Sequence, residues 1–332
     1  MIGQIDKAYI KTRPYKLYSR LVSYFCFEGR PLTTKGQWIN PIVFSFLGIC
    51  KKIPPLKKIK QPVFIIGTGR SGTTILGIVL SMHKQVGFLN EPKALWHSIY
   101  PNEDIIGSYS MGKAFYELGE SNANEKQRKN IHRILGVYLF LSGSERIVDK
   151  YPELIFRVPY VLSFFPDAKF LFLVRNGYDT CSSIKTWSER LGQNVKEENH
   201  DWWGRNNRKW VLFKEQILKQ DTYYKKIIPI LDDITDHTDM AALEWIATMR
   251  KGMEVTEKYP GRVKKIYYET LVSEPQRELT GLLSFCELTY DQKYMDYGIN
   301  ALSLQKSIKE LALHPLIQPL FNDTMKLLGY EI

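Results

Sequence analysis

Three glycines frame the stretch whose residue types could best hold an anion: Gly67, Gly69 and Gly72, with Arg70 between them and Ser71, Thr73 and Thr74 alongside. Val63–Ile66 before the turn is a short apolar run of the kind a buried parallel strand needs, and Ile75–Leu80 after it is apolar enough for a buried helix. Strand, glycine-rich turn and helix together aim backbone N–H groups and a helix N-terminus at one point, which suits a phosphate. Gly67 and Gly72 have the spacing of the nucleotide loop G-x-x-x-x-G-K-[ST], with Thr74 at its last position, but Thr73 stands where the lysine belongs. That lysine reaches the β- and γ-phosphates of a nucleoside triphosphate, so its replacement argues against an ATPase, a GTPase or a common kinase. The cation is instead Arg70, inside the loop.

Arg70–Thr74 behind a buried strand resembles the 5′-phosphosulfate loop of the sulfotransferases, enzymes that use 3′-phosphoadenosine-5′-phosphosulfate (PAPS) and release 3′-phosphoadenosine-5′-phosphate (PAP). The resemblance runs from about residue 62 to the end. It implies an α/β fold: a P-loop-like three-layer core with a central parallel sheet flanked by helices. It also implies that the amides of Gly69, Arg70, Ser71, Gly72, Thr73 and Thr74 hold the phosphosulfate.

Further stretches carry the same resemblance. Phe165–Ala168, an apolar strand over Phe170–Val174, Arg175 and then Ser183, eight residues on, are similar to the family's 3′-phosphate motif. Arg175 would supply a forked, charge-assisted contact and Ser183 a hydroxyl from the following helix. Asn176 and Gly177 stand where Asp and Pro are common. Glu91, twenty-one residues beyond Arg70, matches the general base of the tyrosylprotein-sulfotransferase and bacterial branch, at the end of a short strand Val86–Leu89. The chemistry needs such a group, because an acceptor hydroxyl is a poor nucleophile until a base takes its proton. An ion pair with Lys93 is the structural alternative for Glu91, and His83 and His97 are alternative bases. Lys150, before Pro152, matches the family lysine that bridges the leaving phosphate and the sulfuryl group, where a fixed cation favours the transition state. Tyr268, in Tyr268–Pro275, matches the segment that closes the nucleotide site from the adenine side. Ser303 and Lys306 lie where the family often folds a segment over the cofactor.

The elements that must position these residues fall into two parts: an N-terminal helical and basic arm over 1–61 and a catalytic domain over 62–332. Residues 187–240 are expected to form a helical acceptor-site insert. In the arm, Tyr9, Tyr15, Tyr18, Tyr24 and Phe25 alternate with lysines and arginines, and an apolar segment Ile42–Cys50 leads into a lysine-rich, Pro-containing run up to Lys60. This suits peripheral membrane contact, or an arm packed on the catalytic domain with a basic linker. Residues 100–145 read as mostly helical, and Ala241–Lys258 as an amphipathic helix. Trp187, Trp202, Trp203 and Trp210 among Arg190, Arg205, Arg208 and Lys209 suit sugar stacking and anion contacts, and equally a subdomain that buries its tryptophans.

The chain has 332 residues and a net charge of +11, which favours anionic partners; the charge is spread, without long Arg-rich blocks, so nucleic acid is not expected. Four scattered cysteines without a C-x-x-C pair imply no zinc site and a reducing compartment. No stretch reaches eighteen apolar residues and no signal-peptide pattern opens the chain, so a cytoplasmic protein, membrane-associated if the arm binds lipid, is expected. The reading is a PAPS-dependent sulfotransferase acting without a metal on a hydroxyl-bearing acceptor, with a glycan or glycolipid preferred. The alternatives are a small-molecule kinase with an atypical P-loop, and a non-catalytic anion- or membrane-binding protein.

Overall fold

The computed structural model describes residues 4–195, 197–303 and 310–331. Five strands form one fully parallel sheet: β1 (Val63–Gly67), β2 (Val86–Asn90), β3 (Arg146–Lys150), β4 (Lys169–Val174) and β8 (Val263–Tyr267), in the spatial order β2-β3-β1-β4-β8. β1 lies centrally, with Ile65 opposite both Lys150 and Leu171. A parallel sheet needs helical crossovers and is covered on both faces, so its central strands are apolar throughout. All five residues of β1 are buried.

Alternate residues feed two cores. Phe64, Ile66, Phe170 and Phe172 face one layer, which includes Trp96, Tyr138 and Trp245. Val63, Ile65, Leu171 and Leu173 face the other, with Leu76, Leu80 and Leu282. The helix His237–Lys258 is longer than its sequence pattern suggested, and from Met240 to Met249 every residue is buried. It is a core helix, not an amphipathic surface one.

The arm is not an appendage. The edge strand β2 would otherwise leave backbone groups open. Lys16 Nζ donates to the carbonyl of Val86 at 2.6 Å, and Glu28 Oε1 accepts from the amide of Asn90 at 2.8 Å. Tyr9 and Ser81 hydroxyls lie 3.0 Å apart, and Arg13 pairs with Asp291 at 2.5 Å. Burial and the nearby Arg13 lower the pKa of Lys16 to about 7, against the pull of Asp291.

Two stretches differ from the expected helices. Between 100 and 124 the chain is mostly irregular, because the carboxylate of Asp104 accepts from the amides of Gly107, Ser108, Tyr109 and Ser110 and so replaces helical bonding; the helix proper is Glu125–Leu141. The stretch 187–240 is not wholly helical. It contains a small antiparallel sheet, β5 (Gln193–Val195), β6 (Glu198–Asp201) and β7 (Gly204–Arg205). Asn206 and Asn207, both with positive φ, end it and start the helix Arg208–Gln216.

Candidate active site

Every strand of the large sheet delivers one candidate residue at its C-terminal end. Glu91 follows β2, Lys150 ends β3, the glycine loop follows β1, Arg175 follows β4 and Tyr268 follows β8. In an open α/β sheet this edge, at the point where successive connections run to opposite sides, is where ligands bind.

The loop after β1 turns through Gly67 at φ 140° and Gly72 at φ 97°. A Cβ on Gly72 would sit 2.5 Å from the ring of Tyr268, so only glycine lets that ring lie against the loop. A Cβ on Gly69 would lie 2.4 Å from the indole of Trp202, which closes on the loop from the other side. Ser71 is wholly buried, and its hydroxyl donates to the carbonyl of Thr68 at 2.6 Å. Ser71 thus ties the turn together, while Gly67, Gly69, Arg70, Thr73 and Thr74 line an open cleft of about 390 Å³.

Arg70 and Glu91 both hold positive φ without being glycine, at 69° and 49°. Such backbone strain persists where surrounding structure imposes it, and it gathers at functional sites. At Glu91 the cause is visible: its amide donates to the carbonyl of Lys150 at 2.7 Å, and its own carbonyl accepts from Lys93 at 2.6 Å.

Arg70 Nε donates to Ser183 Oγ at 3.2 Å, and Arg175 Nη1 donates to the Arg70 carbonyl at 3.2 Å. Arg175 also lies 3.7 Å from Asp179 and 4.5 Å from the centre of the Tyr268 ring. Desolvation, and after it the like charges of Arg175 and Arg190, disfavour the charge on Arg70. An anion between these guanidinium groups would relieve that repulsion. Arg175 Nε and Thr68 Oγ1 are buried with no hydrogen-bond partner among the described residues. The clustered guanidinium groups and the glycine turn suit an anion. Asn176 caps the next helix through the amide of Tyr178, at 2.9 Å, as an Asp would.

On the β2 side, Lys150 is buried and its ammonium is hydrogen-bonded to Glu91 Oε1. Lys93 lies 3.6 Å from Glu91 Oε2 and 3.6 Å from Glu153. Glu91 therefore makes the expected pair with Lys93 and a closer one with Lys150. Burial raises the pKa of its carboxyl, but Lys150, Lys93 and Lys209 outweigh this and hold it at about 2. His83 lies before β2, at the opposite edge of the sheet, with Nε2 2.8 Å from the Thr289 carbonyl. His97 packs between Phe44 and Tyr109, and neither histidine lines the cleft.

The four tryptophans divide. Trp203 and Trp210 are buried in the core, whereas Trp187 and Trp202 line the cleft and meet edge to face at 5.4 Å. Trp202 Nε1 donates to Glu244 Oε2 at 2.6 Å, and Lys209 pairs with Glu244 Oε1 at 2.5 Å. The Lys209–Glu244 pair had no sequence signal, since its members are thirty-five residues apart on separate helices. Nor did Arg30, Thr33 and Thr34, by which the arm reaches the cleft. Ser303 is exposed, and Lys306 lies outside the described residues. Among the described residues no group of His, Cys, Asp and Glu has the arrangement of a metal site.

A family model described as the sulfotransferase family matches residues 62–225. An uncharacterized protein of Aquifex aeolicus is 25% identical over 251 residues, 72% of this chain and 27% of that one. The chain thus spans about a quarter of that relative's length. A putative protein-tyrosine sulfotransferase of Caenorhabditis briggsae is 21% identical over 247 residues, 73% of this chain and 71% of that one. Among solved structures, the sulfotransferase domain from the curacin biosynthetic pathway covers 83% of this chain and 100% of its own, at 16% identity and a TM-score of 0.46.

Proposed function

We propose that the chain, whose residues 62–225 match the sulfotransferase family model, transfers a sulfuryl group from PAPS to an acceptor hydroxyl. One observation carries the reading: the order of groups along the sheet edge, Glu91, Lys150, glycine loop, Arg175, Tyr268, is the order in which such a transfer needs them. The donor supplies an activated sulfuryl group whose bridging oxygen takes negative charge as the bond breaks.

The loop amides and Arg70 hold the 5′ end, Arg175 and Ser183 the 3′-phosphate, and Tyr268 bounds the adenine side. Glu91 takes the proton of the acceptor hydroxyl as its oxygen attacks sulfur; the bond from sulfur to the bridging oxygen breaks, and PAP leaves. Lys150 neutralises the charge on that oxygen. In doing so it turns away from Glu91, whose carboxylate loses its strongest partner and gains proton affinity. The base is thereby activated only when the donor is in place.

Trp187 and Trp202 in the cleft support a glycan or glycolipid as the acceptor, since flat aromatic faces stack on sugars. The four cysteines are unpaired, which fits a reducing compartment such as the cytoplasm.

Calorimetric titration with PAP, and separately with ADP plus magnesium, tests the reading. Tight PAP binding that Arg175→Ala destroys is the expected result. Preference for magnesium–ADP would replace the sulfotransferase reading with the kinase.

A further inference from the structure

The arm carries an apolar face that no described residue covers. The turn Gln37–Ile39 runs directly into the helix Asn40–Cys50. Val43, Leu47 and Cys50 point inward and are buried. Trp38, Ile42 and Ile49 recur at one-turn and two-turn spacing on the other side, with 77%, 60% and 58% of their surface exposed. Leu56, just beyond, is also exposed.

The charge carried by this stretch of chain has one sign. Residues 31–60 contain six lysines, Lys35, Lys51, Lys52, Lys57, Lys58 and Lys60, and neither Asp nor Glu. Lys35, Lys52, Lys58 and Lys60 are exposed. Lys126 of the neighbouring helix adds a cation near Lys51.

We propose that this face docks the protein on an anionic lipid bilayer, with Trp38, Ile42 and Ile49 entering the headgroup region and the lysines meeting the lipid charge. The two features select the partner together. A soluble polyanion would satisfy the lysines and leave the apolar side chains in water. A second copy of the chain, meeting this face symmetrically, would set lysines against lysines. Only an amphiphilic anionic surface complements both. The contact is peripheral: no helix among the described residues is long and apolar enough to cross a membrane.

The face is fixed to the cleft. Asn40, at the start of the docking helix, accepts from the Arg30 amide at 2.7 Å and donates to the Arg30 carbonyl at 2.9 Å. Gln37 donates to the carbonyl of Leu32. Arg30, Thr33 and Thr34 line the cleft, so docking orients the cleft wall as well. The proposal concerns where the protein sits and does not depend on which group it transfers.

The test mixes the full-length chain with vesicles of phosphatidylcholine, alone or with phosphatidylglycerol, and sediments them. Binding only to the phosphatidylglycerol vesicles, released by raised salt, is expected. Replacing the three apolar residues together (Trp38→Ser, Ile42→Ser, Ile49→Ser) should lower binding by about tenfold or more while PAP affinity stays the same. Lys52→Glu with Lys58→Glu, which leaves the apolar side chains in place, should also lower it, and decides the matter if the first variant fails to fold. A wild-type chain that binds PAP yet ignores anionic vesicles overturns the proposal. So does an apolar variant that keeps PAP affinity and sediments as before. A wild-type dimer that the apolar substitutions dissociate would assign the face to a second copy, and overturns it too.

Discussion

Arg70 Nε and Ser183 Oγ share a 3.2 Å hydrogen bond, so the loop after β1 and the helix after β4 meet through the two residues matched to opposite ends of one nucleotide. Arg175 reinforces the junction by donating to the Arg70 carbonyl. The two proposed phosphate positions are therefore joined by direct contacts. Ser183→Ala should weaken PAP binding by roughly tenfold or more, as loss of a hydrogen bond to a charged group does. Arg175→Ala should weaken it further, and should weaken 5′-AMP, which lacks the 3′-phosphate, much less. Calorimetry with both nucleotides separates the effects; equal losses for the two would remove Arg175 from the 3′-phosphate.

Glu91→Gln should lower turnover by roughly 10²–10⁴-fold with little change in PAP affinity, the range expected for a general base. Equal loss of both would make Glu91 structural.

The Glu91 carboxyl also reports on Lys150. Its folded pKa is depressed to about 2, so it is ionised throughout the neutral range, and the stability it contributes is present above the unfolded carboxylate pKa and is lost only as pH falls toward 2. Lys150→Met should return it toward the ordinary range, and PAP, by drawing Lys150 away, should raise it in the wild type. Carboxyl-detected NMR titration reads both; a carboxyl indifferent to Lys150→Met would refute the coupling.

Lys209 and Glu244 are both buried, with Trp202 donating to the second carboxylate oxygen. Lys209→Met strands a buried charge and should destabilise the fold by about 3–5 kcal/mol. Adding Glu244→Gln should recover much of this, because the amide still accepts from Trp202 and carries no charge. Thermal melts of the two single variants and the double variant give the coupling, and a simple sum of the single effects would show the pair to be independent.

Asp149, next to Lys150 on β3, behaves oppositely to Glu91. Burial raises its pKa to about 8, only partly offset by the hydrogen bond from Trp96 Nε1 at 2.8 Å. Because the folded pKa lies above the unfolded one, near 3.9, the protonated group favours the fold at low pH, and stability is lost as pH rises through the folded value. Asp149→Asn should therefore be near neutral at pH 4 and increasingly stabilising up to about pH 8. Melting curves across that range check it; a gain independent of pH would mean that the carboxyl is ionised throughout.

The strands that carry the candidate site were legible because their signals are local. A buried parallel strand needs a continuous apolar run, and Val63–Ile66 and Phe170–Val174 show it; glycines and an arginine at the strand ends then mark the proposed anion site. What escaped was long-range. The lysine at position 16 has meaning only against the carbonyl of Val86, seventy residues on, and Glu28 only against the amide of Asn90. Asp104 defeats the helical reading of its segment because one carboxylate takes four amides, a competition that periodicity does not register. Trp187 and Trp202 could not be told from Trp203 and Trp210 by type or spacing, since all four sit among charges and only the fold sorts core from cleft.

The five-strand edge acts as a ruler. Neighbouring strands are held about 4.8 Å apart by backbone hydrogen bonds, so the span from Glu91 to Tyr268 is about four such steps, whatever side chains fill the layers above and below. Core repairs and losses can change how firmly the sheet stands, but not the pitch at which its five groups are set out. The reach between the proposed base and the proposed nucleotide anchor is therefore graduated in the peptide backbone, and divergence toward other acceptors has to be written off the scale, in the arm and in the tryptophan-bearing segment that both line the cleft.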